Sequence, residues 1–134
     1  MFLAGLNEEK KGLFLELCIH AALANHIVVE QEQAAMESYA VEMGFSEYPT
    51  KISIPLDDLL KAISSKCTRE EINIFIFEII GLILSDHIYD SDEQKFVETL
   101  KQRLNVSSEK VGKAICLVRD VMKLYAEARA YIAE

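Results

Sequence analysis

Four carboxylates crowd into one eight-residue stretch of this chain: Asp86, Asp90, Asp92 and Glu93. Hard cations such as calcium take about 6–8 oxygen ligands, and carboxylates are among their usual donors. No D-x-[DN]-x-[DN]-G pattern occurs here, so this is not an EF-hand loop, and backbone carbonyls and water would have to complete a site. A structural interpretation competes with metal binding: Asp86 fixes its own turn, and Asp90 and Glu93 cap the following helix.

The acidic stretch is the second of two near copies. ANHIVVEQEQ at residues 24–33 and SDHIYDSDEQ at residues 85–94 lie 61 positions apart. Comparison of residues 17–44 with 78–105 at this offset gives seven identities: Ile19/Ile80, Leu23/Leu84, His26/His87, Ile27/Ile88, Glu32/Glu93, Gln33/Gln94 and Glu37/Glu98. The repeat predicts a turn that recurs in two similar halves of the chain.

A nearly all-apolar segment precedes each turn. Asn7 can cap GLFLELCIHAALA, and Thr68 begins TREEINIFIFEIIGLILS with Glu71 in a T-x-x-E capping box, so the caps also coincide at the offset of 61. Glu16 and Glu78 interrupt the two segments, which are therefore too short in uninterrupted apolar length to span a membrane. Both are predicted to be central helices of a bundle, and each glutamate needs a partner or a place at the edge of the core.

Amphipathic helices follow both turns. Phe96, Leu100 and Leu104 recur at helical spacing after the second turn, where the first copy has Ala35, Tyr39 and Met43. After the first of these helices, a loop containing Gly44, Pro49 and Pro55 leads into a short helix at residues 56–65 and so joins the two halves. The last helix starts near Ser107, with one apolar face formed by Val111, Ala114, Ile115, Val118, Val121, Met122, Tyr125 and Ile132.

These elements predict an all-α fold, a bundle of six to seven helices in two pseudo-symmetric halves. The single domain spans residues 1–134, with half repeats at about 7–65 and 68–132, and this length suits one hydrophobic core. At the end of the core, Ile27 or Ile88 is expected to point inward and close it. In the second turn Asp90, or alternatively Ser91, is expected to cap the next helix.

The turns resemble those of the TerB-like tellurite-resistance family. Its motif has a small residue, Asp and Gly in the turn, an aliphatic residue two positions after the Asp, and a Glu seven positions after it, written twice between helices. The same module is appended to some membrane-anchored J-domain co-chaperones. The resemblance covers essentially the whole chain and implies a non-enzymatic, bacterial, stress-associated helical domain whose turn acids bind a divalent metal.

The resemblance assigns candidate metal ligands position by position. The Asp of the motif corresponds to Asp86 in the second turn and to Asn25 in the first, and its Glu is present as Glu93 and Glu32. Asp90 adds a further carboxylate. The implied ion is calcium or magnesium rather than zinc. The departure at Asn25 weakens the first turn as a site and leaves the second as the stronger one.

The glycine of the motif is histidine in both copies, His26 and His87. A reversal after a helix often needs a positive φ, which histidine tolerates better than most residues other than glycine. The two histidines could also pair as a transition-metal or proton-switch site if the turns meet. Exposed turn histidines are the simpler interpretation.

Other residue pairs have a structural interpretation beside a catalytic one. Cys18 and His20 form a cysteine–histidine pair, but positions two apart on a helix face different ways, so His20 is expected to be a core histidine near Glu78. Glu16 and Glu78 could act as paired carboxylates, although the repeat does not make them equivalent. No phosphate loop, nucleophile elbow or H-E-x-x-H pattern occurs, so no catalytic residue is assigned and an unrecognised hydrolase is the least favoured function.

The charge composition indicates which classes of partner the chain could bind. The chain has 14 Lys and Arg against 22 Asp and Glu, and its first 50 residues are its most acidic part. An acidic surface repels nucleic acid and anionic lipid, so neither nucleic-acid binding nor membrane insertion is expected. The alternative to metal binding is a protein-interaction module whose acidic first half, Glu30 to Glu47, engages a basic or membrane-associated partner. Self-association stays open.

The remaining expectations concern the cysteines and the compartment. Three widely spaced cysteines, Cys18, Cys67 and Cys116, show no zinc pattern and are expected to be buried free thiols. No secretory signal is evident at the start of the sequence, which predicts a cytoplasmic protein.

Overall fold

The computed structural model describes residues 1–24 and 30–134. Over these residues the chain is 78% helical, with six helices and no strand. The helices are α1 (Glu8–Ala22), α2 (Glu30–Glu42), α3 (Leu56–Lys66), α4 (Arg69–Ile83), α5 (Ser91–Leu104) and α6 (Ser108–Ala133). Single 3-10 turns lie at Leu3–Gly5 and Leu84–Asp86. The prediction of an all-helical bundle is confirmed.

The helices begin where their capping residues predict. The Asn7 side chain accepts a hydrogen bond from the backbone N–H of Lys10, which fixes the start of α1. At α4 the Thr68 hydroxyl accepts from the N–H of Glu71, and the Glu71 carboxylate accepts from the N–H of Thr68. These reciprocal bonds satisfy donors that a helix start otherwise leaves without partners.

Helix boundaries recur at the spacing of the sequence repeat. Both α1 and α4 contain 15 residues, and both their first and their last residues are 61 positions apart. Likewise, α2 and α5 start at Glu30 and Ser91.

Residues 61 positions apart also contact each other where α1 meets α4. The Lys10 ammonium lies 2.7 Å from Oε1 of Glu71. One turn further into the core, the Phe14 and Phe75 rings meet edge to face with their centroids 5.3 Å apart. Both phenylalanines are fully buried. The two central helices therefore pack through equivalent positions of the repeat.

Around the central pair, α3 packs on α1 and α6 packs on α4, while α2 lies against α1, α4 and the turn at Leu84–Asp86. The outer contacts differ between the halves. Helix α3 packs directly on α5, where Arg103 forms an ion pair with Asp57. By contrast, a cleft of about 600 Å³ opens between α2 and α6.

The apolar face predicted for the last helix is only partly buried. Val111 and Val118 are buried, and Ala114, Ile115 and Met122 pack against the core. Tyr125 and Ile132, however, are 55% and 79% exposed. The apolar face is therefore buried only along the first half of α6, because α4 ends at Ile83 and α6 continues beyond it.

The three cysteines differ in how far they are buried. Of the three free cysteines, Cys18 is buried, Cys67 is half-buried and Cys116 is exposed on α6, so the prediction that all three are buried is wrong for Cys116. It fails because Cys116 lies on the side of α6 that faces away from α4.

Within residues 1–24 and 30–134, no helix has the length and apolar composition needed to cross a bilayer.

Candidate functional site

The second turn reverses the chain through a left-handed histidine. The 3-10 turn after α4 ends at His87, which has a φ of 63°, as expected from its place at the glycine position of the motif. Oδ1 of Asp86 accepts the backbone N–H of Ile88 at 3.0 Å. Asp86 therefore fixes its own turn, and one carboxylate oxygen is committed to that task.

Ile88 does not close the core as expected. Its side chain is 59% exposed, and the next residue, Tyr89, packs against the core instead. The left-handed backbone at His87 turns the chain outward at Ile88 and back inward one residue later. Ile27, the corresponding residue of the first turn, lies outside the described residues.

Helix α5 starts with a capping box. Oδ1 of Asp90 accepts the N–H of Glu93 at 2.8 Å, and Oε1 of Glu93 accepts the N–H of Asp90 at 3.2 Å. Asp90 is therefore the N-cap residue, and Ser91 is the first residue of the helix. The structural interpretation of these two acids is confirmed.

Two glutamates from opposite halves are buried beside this turn. Glu32, in the first turn of α2, is 1% exposed, and Glu93 is 2% exposed. Burial raises the pKa of the Glu93 carboxyl to about 7, and the charges of Asp90, Asp86 and Glu32 raise it further against the lowering effect of the hydrogen bond from the backbone N–H of Asp90. We call Glu32, Asp86, Asp90 and Glu93 the acidic junction.

Packing of α2 on the 3-10 turn after α4 brings these acids together. The sequence repeat makes Glu32 and Glu93 equivalent. In the structure they are close enough for the charge of Glu32 to raise the pKa of Glu93. Asn25 and His26 lie outside the described residues, as does Val29. The predicted ligand at Asn25 and the pairing of His26 with His87 therefore stay predictions.

The acidic junction has the donor chemistry of a hard-cation site, because every member supplies carboxylate oxygens. Over the described ranges, however, no three His, Cys, Asp or Glu side chains are grouped closely enough to hold a metal ion. The carboxylates fit calcium or magnesium in kind but do not complete a coordination sphere. Backbone carbonyls and water would have to supply the remaining ligands.

Cys18 and His20, the possible cysteine–histidine pair, are both buried in the core. His20 is buried, and its Nε2 lies 2.7 Å from the carbonyl oxygen of Ile54, so its hydrogen-bond partner is not Glu78 as expected. The loop before α3 crosses the end of α1 and brings that carbonyl to the ring. Burial raises the pKa of the Cys18 thiol well above its usual value, which opposes formation of a nucleophilic thiolate.

Glu16 and Glu78 find separate partners, so they do not form a carboxylate pair. Oε1 of Glu16 accepts the Ser53 hydroxyl at 2.6 Å near the surface. Glu78 is 4% exposed, and its Oε1 lies 3.0 Å from the Met1 amine and accepts the N–H of Phe2 at 3.3 Å. Each core-helix glutamate thus has a structural partner, as their interruption of apolar segments required.

The cleft between α2 and α6 is lined by several of these residues. Glu42 and Glu78 lie at one side of it, where Glu42 binds the Met1 amine at 2.9 Å and the N–H of Leu3 at 2.8 Å. Tyr39 donates its hydroxyl hydrogen to the carbonyl of Glu78 at 2.7 Å. Sequence reasoning did not single out Glu42, because nothing distinguishes it from the other acids of α2.

Comparisons with protein-family models, with curated proteins and with solved structures gave no significant match.

Proposed function

We propose that this chain is a non-enzymatic binding module of the TerB-like kind, in which the acidic junction takes up a divalent cation. The observation that carries this proposal is the burial of Glu93 beside three other carboxylates, which raises its pKa to about 7. A bound cation would offset the repulsion among the four carboxylates and favour the ionised form of Glu93. Glu93 and Asp86 would be its main carboxylate ligands, with Asp90 and Glu32 beside them.

The pseudo-symmetric arrangement expected of this family is supported by contacts between equivalent residues. In a structure with a two-fold axis, equivalent residues can touch only near that axis. Lys10 contacts Glu71 and Phe14 contacts Phe75, each pair separated by 61 positions. Glu32 lies 61 positions before Glu93 and is close enough for its charge to raise the pKa of Glu93. These pairs favour an axis that runs between α1 and α4 and emerges at the acidic junction.

Thermal melts in EDTA, calcium, magnesium and zinc test the proposal. A cation that binds only the folded chain raises the melting temperature by mass action, by about 2.7 kcal/mol of stability at 100 times its Kd. We expect calcium or magnesium to give the largest rise. Asp86→Ala and Glu93→Ala should abolish it, whereas the exposed Asp92→Asn should retain it. A rise that survives both alanine variants would refute the assigned ligands.

The second candidate is a protein-interaction module that uses no metal. The exposure of Glu30, Glu37 and Glu47 in the acidic first half favours it, because a basic partner could pair with them. A flat thermal response to all cations, together with loss of binding to a cationic peptide after charge reversal at these residues, would favour this function over cation binding. For both candidates we propose a cytoplasmic location and a stress-associated role.

A further inference from the structure

Helix α6 carries an exposed apolar stripe that the bundle does not use. Leu117, Leu124 and Tyr131 recur every seven residues and are 45%, 65% and 79% exposed. Ala114, Val121 and Ala128 complete an a/d pattern at heptad spacing, with Ala114 and Val121 half-buried at the edge of the bundle. The stripe is about 21 Å long from Leu117 to Tyr131 at 1.5 Å per residue. Such a pattern is typical of a helix that packs against another helix.

An acidic row borders one side of the stripe. Asp120, Glu127 and Glu134 also recur every seven residues, at the positions that flank the seam in a heptad pattern. Asp120 and Glu127 are exposed and form no ion pair among the described residues. Lys113 precedes the row by one heptad, so the charge is acidic only along the later part of the helix.

A second copy of this chain does not suit that border. In an antiparallel pair, flanking positions of the same type meet, which would place Asp120 opposite Glu127 of the second copy, a repulsion that the Lys113–Glu134 pairs of the same register only offset. In a parallel pair, the acids would face Tyr125 and Ile132 of the other helix and find no counter-charge. The formal net charge of −8 adds long-range repulsion between copies. The seam therefore matches a different helix.

We propose that the α6 stripe docks an amphipathic helix of a partner protein whose flanking positions carry lysine or arginine. The apolar residues of that helix would pack on Leu117, Leu124 and Tyr131, and its basic residues would pair with the acidic row. This surface is distinct from the acidic first half of the chain. It is also independent of the acidic junction, so either proposal can fail alone.

Two synthetic 21-residue helical peptides test the docking. Both carry leucine at the seam positions, one with lysine and the other with glutamate at the flanking positions. Fluorescence anisotropy should show that the lysine peptide binds at least about tenfold more tightly at low salt, with the difference reduced as salt screens the charges. Leu117→Ser with Leu124→Ser should abolish binding without changing the helical circular dichroism, because both side chains are exposed.

Charge reversal separates this surface from general attraction between opposite charges. The triple variant Asp120→Lys, Glu127→Lys and Glu134→Lys should reverse the preference and favour the glutamate peptide. The matched control Glu30→Lys, Glu37→Lys and Glu47→Lys changes the net charge equally on the exposed acidic half and should keep the lysine preference. Equal loss of lysine-peptide binding in both triple variants would refute the assigned surface.

Self-association is the rival outcome. Light scattering should find a monomer at micromolar concentration. A dimer that Leu124→Ser converts to a monomer would assign the stripe to a second copy and overturn the proposal, as would the absence of binding by either peptide.

Discussion

Phe14 and Phe75 occupy equivalent positions of the repeat and meet edge to face at the centre of the core, where both are fully buried. Edge-to-face aromatic pairs add about 0.5–1.5 kcal/mol beyond the area they bury. A double-mutant cycle with Phe14→Leu and Phe75→Leu should therefore show a coupling free energy of about 1 kcal/mol in urea unfolding. The matched cycle combines Phe14→Leu with Phe96→Leu, whose ring does not pair with that of Phe14, and should be close to additive. Equal coupling in both cycles would contradict a direct contact between Phe14 and Phe75.

The raised pKa of Glu93 predicts that the folded chain becomes less stable as the pH rises. The folded-state pKa is about 7 against an ordinary value of 4.5, so the folded chain binds more protons between these values. The free energy of unfolding should then decrease from pH 4.5 to pH 7, by on the order of 3 kcal/mol at most. In EDTA, Glu93→Gln should lose this decrease and be the more stable protein at pH 8.

Asp92→Asn is the matched control for that change, because Asp92 is exposed in the same first turn of α5. Its pH profile should follow that of the wild-type chain. If Glu93→Gln keeps the wild-type slope between pH 4.5 and pH 7, then another group titrates there and the assignment to Glu93 is wrong.

The cap at Asp90 should contribute measurably to stability. Asp90→Ala removes the acceptor for the N–H of Glu93, and N-cap truncations cost about 1 kcal/mol. Asp90→Ser retains an acceptor and should recover most of that loss in urea unfolding. Equal destabilisation by both variants would indicate that the carboxylate charge, rather than the cap, is what α5 requires.

The three thiols should react with a thiol reagent in order of their exposure. Cys116 is exposed and should react fastest, whereas Cys67 should react more slowly because burial raises the pKa of its thiol. Cys18 should react only after unfolding. Cys116→Ser should remove the fast phase, and a fast phase that persists in this variant would mean that Cys67 or Cys18 is accessible in the folded chain.

Local sequence signals predicted the helices well, because each signal acts within a few residues. Asn7, Thr68 and Asp90 cap helices through side chains that reach only the next turn. The offset of 61 also predicted matching helix starts. Phe14 and Phe75 are also identical at this offset, and this identity could have predicted the contact between the central helices. Both residues lie outside the compared ranges, 17–44 and 78–105.

Tertiary contacts decided what the sequence pattern left open. The periodicity of α6 describes an apolar face but not the length of the neighbouring helix, so it could not show that Tyr125 and Ile132 on this face are exposed. The outward position of Ile88 depends on the left-handed conformation of His87. At the acidic junction, the repeat identified Glu32 and Glu93 as equivalents, but only the packing of α2 on the second turn brings their charges together.

The most direct test of the proposed cation is an NMR titration of the Glu93 side-chain carboxyl carbon, assigned by its loss in Glu93→Gln. In EDTA the titration midpoint should lie at about pH 7, because burial and the neighbouring carboxylates disfavour the charge. Saturating calcium or magnesium should lower the midpoint by more than about one pH unit, since a bound cation stabilises the carboxylate. A midpoint that stays at about pH 7 in both cations would contradict cation binding at the acidic junction.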